Sequence, residues 1–209
     1  PTPSSAASDV YKRQQKGSSI AKVSLVDGGS IKELMLEGKE IVRDFSAEVP
    51  YKNSYASAIL FPFSNRINKG EYSFSNQKYH LDPNSNYNNA IHGLIYDKTF
   101  EILQEEVGLN HISITLAYQE KERNNGFPFL YSIHLTYTLY EDSLSLGVWV
   151  KNDDLKPFPF TIGWHPYFFT KNRHDSVVSF SADKEVIHNE EMIPVKIEDC
   201  DGPKRFVIN

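Results

Sequence analysis

A single cysteine, Cys200, is all the thiol chemistry in this chain of 209 residues. No internal disulfide is available and no cysteine-rich metal site, so a reducing setting, the cytoplasm, is expected. There is no basic surplus either: 22 Lys and Arg stand against 27 Asp and Glu, a net charge of −5. A chain of that balance neutralises no phosphate backbone, and no nucleic-acid partner is expected. Runs of about 18 apolar residues are missing, which excludes a spanning helix, and no membrane association is expected. Neither a Gly-x-Ser-x-Gly elbow nor a phosphate loop occurs. His-x-His spacing is absent too, and the expectation is no metal and no cofactor. Sustained helical periodicity with caps is also lacking.

What the chain does have is aromatic residues, with 13 Phe and 12 Tyr, and period-two alternation. "HISITLAYQE" places Ile112, Ile114, Leu116 and Tyr118 on one face. "YSIHLTYTLYEDSLSLGVWVKN" alternates twice around the turn "YEDS": Tyr131, Ile133, Leu135, Tyr137 and Leu139 share a face, as do Leu144, Leu146, Val148 and Val150. "IAKVSLVDGGSIKELMLEGKEIV" reads as hairpins broken at Gly-Gly and Glu-Gly. Together these predict one large antiparallel all-β domain. The Asn-rich stretch "LDPNSNYNNAIHGLIYDK" interrupts the rhythm and reads as a long functional loop. Residues 1–14, "PTPSSAASDVYKRQ", lack the apolar segment of a secretory signal and are similar to a translated sequencing adapter. They are set aside, and residues 15–209 are taken as the domain.

Of seven histidines, five read as bland. His80, His111 and His134 fall on polar strand faces, and His174 and His188 lie in charged, loop-like text. His92, in "NAIHGL", and His165, in "TIGWHPYFFT", stand in more pointed surroundings. Asn65 and Arg66 follow an aromatic segment in "FPFSNRINKG".

The order "FPFSNRI", "IHG" and then "HPYF", with its spacing, resembles the aldose 1-epimerase (galactose mutarotase-like) family over roughly residues 20 to 209. The resemblance implies an antiparallel supersandwich, incomplete at its C-terminus. It implies an isomerase that interconverts the α and β anomers of a free hexose by acid–base ring opening. By match to the family's motifs, His165 is expected as the general acid at the ring oxygen and His92 as its catalytic partner. Asn65 and Arg66 are expected to bind sugar hydroxyls. Trp164, Tyr167 and Phe168 are candidate walls for sugar C–H groups. A monomer or homodimer is expected.

Two departures accompany the resemblance. "GWHPYF" and "HGL" differ from the commoner Asn-His-Ser-Tyr motif and doubled glycine, and are similar to a branch that includes hexose-6-phosphate 1-epimerases. Arg43, Lys69 and Arg173 are the cations such a substrate would call on. The family's catalytic glutamate is expected beyond Asn209, so the chain reads as a fragment inactive on its own. A non-catalytic carbohydrate-binding β-sandwich is the reading from another class.

Overall fold

The computed structural model describes residues 11–200 and 202–208. The chain opens as a meander of four antiparallel strands: β1 (Tyr11–Lys16), β2 (Ser19–Ser24), β3 (Ile31–Leu36) and β4 (Lys39–Val42). Pairing thus begins ahead of the boundary expected at residue 15. Gln14 is buried opposite Ala21, and residues 11–14 are part of the sheet. The remainder of the set-aside segment, 1–10, lies outside the described residues.

A single helical turn, α1 (Tyr51–Ser54), precedes a set of short strands: β5 (Ile59–Leu60), β6 (Arg66–Ile67), β7 (Glu71–Phe74), β8 (Gln77–His80) and β9 (Ala90–Ile91). β7 and β8 form a hairpin, while β6 pairs with β9 across the Asn-rich loop. The second four-stranded sheet follows in chain order: β10 (Glu101–Val107), β11 (Ile112–Glu120), β12 (Tyr131–Leu139) and β13 (Leu144–Asn152). β14 (Gly163–Trp164) returns to pair with β5. At the end, β15 (Val177–Ser181) pairs with β18 (Pro203–Val207), enclosing the hairpin of β16 (Lys184–His188) and β17 (Pro194–Asp199). All these pairings are antiparallel, as the alternation predicts.

The core lies between the two four-stranded sheets. Tyr131, Ile133, Leu135, Tyr137 and Leu139 of β12 are fully buried, each with a less buried neighbour between. They meet Ala21, Val23, Ile31 and Leu34 of the first meander in one continuous cluster. Tyr137 closes the gap by donating its hydroxyl to the Gly29 carbonyl at 2.8 Å. A buried hydroxyl with a partner keeps the apolar area of the ring without the cost of a stranded polar atom. Phe61, Phe127, Tyr131 and Phe158 pack edge-to-face at one end of this core.

Burial thins out beyond β12. Leu144, Leu146 and Val150 of β13 share the buried face but are only half-buried, and Val148 is exposed. With Ile59, Phe160, Ile162 and Trp164 they line an open apolar groove. The strands after residue 176 are more open still, with Phe180, Ile197 and Phe206 all exposed.

Candidate functional site

Two short strand pairs place the histidines. β14 runs beside β5 with Trp164 opposite Ile59. The ladder continues one step: the His165 N–H donates to the Ala58 carbonyl at 3.0 Å, and the His165 carbonyl accepts from the Ser57 N–H at 2.8 Å. His165 is therefore held by its backbone, whatever its ring does. On the other side Arg66 pairs with Ile91, and the His92 N–H donates to the Asn65 carbonyl at 3.3 Å.

The turn at His92 and Gly93 aims the first imidazole. Both residues are left-handed, with φ of 66° and 77°. A side chain on Gly93 would stand 2.2 Å from the Phe61 carbonyl oxygen, so only glycine fits against that strand. The Asn-rich loop supplies the complementary clamp. Asn84 accepts from the Ile91 N–H at 2.7 Å and donates to the Ile91 carbonyl at 3.1 Å, acting as a strand partner for the residue before His92. Its amide also reaches the Tyr96 hydroxyl at 3.2 Å. The side chain of buried Asn89 caps the Lys69 N–H at 2.8 Å and ties the loop to the turn after β6.

The rings of His92 and His165 meet edge-on, with centroids 5.1 Å apart and planes at 79°. Tyr55 presses on His92 from a second side at 4.8 Å, and Tyr55 and Tyr96 meet at 5.0 Å. Tyr167 stacks on His165 at 5.3 Å and 21°. His92 is 8% exposed, and its Nδ1 has no hydrogen-bond partner. Burial above all, then the neighbouring His165 and the Arg66 guanidinium, push the His92 imidazole down to about 4. At neutral pH His92 is an uncharged donor–acceptor, while half-buried His165 faces it.

Asn65, Arg66, His92 and His165 are thus brought together from three separate parts of the chain. Of the candidate aromatic walls, Tyr167 lies against His165, whereas Trp164 and Phe168 contact each other at 6.2 Å and Trp164 lines the apolar groove. Arg43 is engaged elsewhere: both Glu40 carboxylate oxygens hold it, at 3.0 and 2.8 Å, and it lies over the Phe169 ring. Among the described residues, no three His, Cys, Asp or Glu side chains cluster closely enough to hold a metal ion.

Three bland histidines have partners after all. His134 lies against the Trp149 ring at 4.5 Å, and His111 is 3.4 Å from the Glu106 carboxylate. His188, read as loop text without a partner, ends strand β16, and its Nε2 is 3.2 Å from the Asn65 amide nitrogen. No local pattern signals that contact, because its two residues are 123 positions apart.

Comparison with known proteins places this arrangement. The chain is 28% identical to the uncharacterized protein YihR of Escherichia coli over 147 residues, covering 67% of this chain and 44% of that one. It is 26% identical to the galactose mutarotase of Homo sapiens over 198 residues, covering 86% and 55%. The chain therefore spans about half the length of these curated relatives. In structure it resembles a galactose mutarotase-like protein from Clostridium acetobutylicum, with a TM-score of 0.79 at 22% identity, covering 91% of this chain and 61% of that one. It also resembles the galactose 1-epimerase of Lactobacillus acidophilus, with a TM-score of 0.71 at 19% identity, covering 89% and 57%. Those likenesses establish the antiparallel fold. The sequence model of aldose 1-epimerases matches residues 9–208, a span that takes in both histidine motifs and every strand described above. On that match the chain belongs to the aldose 1-epimerase family.

Proposed function

We propose that this chain carries the sugar-gripping and proton-donating part of an aldose 1-epimerase acting on a free hexose. The observation that carries the reading is the edge-on meeting of His92 and His165, one imidazole held neutral, beside the Asn65–Arg66 pair.

Anomer exchange needs a proton delivered to the ring oxygen while another leaves the C1 hydroxyl, so that the C1–O5 bond opens to an aldehyde. Rotation about C1–C2 and re-closure then produce the other anomer. His165 is the proton donor in this reading, by its place in the "HPYF" motif and its ring contact with His92. His92, kept uncharged by its surroundings, does not compete for that proton and offers a hydrogen bond to the same region of the sugar. Arg66 forks across neighbouring hydroxyls, and Asn65 supplies a directional amide. The base for the C1 hydroxyl is not assigned among these residues. The open faces of β13 and of β15 to β18 are surfaces against which further chain of a full-length relative would pack.

Polarimetry tests this. α-D-Galactose, α-D-glucose and α-D-glucose 6-phosphate are each followed to anomeric equilibrium with this chain and with a version extended to the length of its relatives. The extended protein is expected to accelerate exchange, and this chain to do so weakly or not at all. His165→Ala in the extended protein is expected to lower turnover by about 10²–10⁴-fold, with a smaller effect on binding. Equal, small effects of His165→Ala and Arg66→Ala would reject the acid assignment. Full activity of this chain alone would place the base within it.

A further inference from the structure

We propose that His188 is a positioning residue that fixes which end of the Asn65 amide faces the sugar. The inference rests on the sugar-binding reading above and deepens it.

The geometry begins with the hairpin that carries His188. The register of β16 against β17 shifts between Ile187 and His188, where His188 comes opposite Pro194. Such an irregularity re-aims a side chain relative to the regular pleat. Asn189 locks the turn that follows, its side-chain oxygen accepting from the N–H groups of Glu191 at 3.1 Å and Ile193 at 2.9 Å. The imidazole so placed lies half-buried beside Asn65 in an open groove of about 780 Å³, with Ser64, Val186, Val195 and Ile197 among its walls.

The contact places the Asn65 amide nitrogen toward the ring. An amide nitrogen only donates, so in this orientation the His188 Nε2, 3.2 Å from the Asn65 Nδ2, accepts. The imidazole proton then sits on Nδ1, and the amide oxygen of Asn65 is turned away as an acceptor for a ligand hydroxyl. Without His188 the amide turns over freely, and either its oxygen or its NH₂ group meets the sugar. The backbone of Asn65 is already fixed through its carbonyl bond to His92. His188 therefore acts on the amide plane, leaving the position of the residue alone.

Two measurements on this chain test the proposal. Histidine ¹⁵N shifts report the tautomer directly: His188 is expected with its proton on Nδ1, and Asn65→Ala is expected to shift that signal. Methyl α-D-galactopyranoside and methyl α-D-glucopyranoside, which cannot ring-open, report binding without turnover. His188→Ala is expected to weaken the better-bound glycoside by about 3–10-fold. His188→Gln, whose side-chain oxygen accepts the same bond, is expected to restore binding to within about 2-fold of the parent. Retained β-sheet circular dichroism excludes simple unfolding of either variant. A His188 proton on Nε2, or equal binding by parent, Ala and Gln chains, overturns the proposal. Equal losses for Ala and Gln also overturn it, since they point to packing. Should the parent bind neither glycoside while His188 keeps the expected tautomer, the sugar reading itself fails, and the ligand-facing part of this proposal falls with it.

Discussion

Strands β12 and β17 are both paired along their length, yet they end in opposite surroundings. Every second side chain of β12 is fully buried, whereas all six residues of β17 are exposed, Val195 and Ile197 among them. β12 is paired with a neighbour on both sides, and β17 with β16 on one side apart from the irregularity at Val195. Ladder bonds exchange for water on unfolding and contribute modestly, so the contrast lies in the apolar face. A face yields about 25 cal/mol per Å² only when something covers it. β12 has the first meander across from it; β15 to β18 have no such layer among the described residues.

The sharpest way to break this comparison is to truncate one residue on each side of it. Leu135→Ala, at a fully buried position, is expected to cost about 2–5 kcal/mol, read as a fall in the urea midpoint. If it costs under about 1 kcal/mol, the sheet interface is not the core.

Acid is the next lever. His92 titrates at about 4 in the folded chain against an ordinary 6.5. The unfolded chain takes up the proton first, so stability is full above about pH 6.5 and falls as pH drops toward about 4, by at most about 3 kcal/mol. Urea midpoints against pH are expected to fall more steeply for the parent than for His92→Asn. Parallel slopes would show that His92 is not held neutral.

Tyr137→Phe isolates the hydroxyl that ties the sheets together. Loss of that bond strands the Gly29 carbonyl, and about 1–2 kcal/mol is expected in the same denaturation assay. The smallest effect belongs to the open region. Ile197→Ala, 66% exposed, is expected to stay within about 0.5 kcal/mol in this chain. In a chain extended to the length of its relatives, the same change is expected to cost about 2–5 kcal/mol if the added polypeptide covers β17. A large cost in the present chain would collapse the contrast.

Alternation in the sequence was enough to locate β11, β12 and β13 and to say which of their side chains share a face. Periodicity carries no information about what lies opposite, which is why Leu144 to Val150 read like Tyr131 to Leu139 but are far less buried. Asn65, Arg66, His92 and His165 could be singled out in the sequence because each sits in a short motif matched by resemblance, and the fold brings them together. His188 was not, because its aim depends on a register shift in a hairpin and on a partner from another strand pair. Residues 11–14 were misjudged for a related reason: composition alone gives no sign of the pairing partner, β2, that orders them.

The left-handed turn at His92 and Gly93 also has a genetic side. The backbone there is gripped through Phe61 at Gly93 and through Asn84 at Ile91, so the frame does not depend on the imidazole. Any replacement at 92 must nevertheless accept a φ of 66°, which favours Asn, Asp or Gly over most side chains. Asn and Asp are each a single-nucleotide change from either histidine codon. Two of the substitutions that one nucleotide change can reach are therefore ones this backbone tolerates. A descendant that lost the imidazole at this position would keep the strand pairs and the loop that frame it.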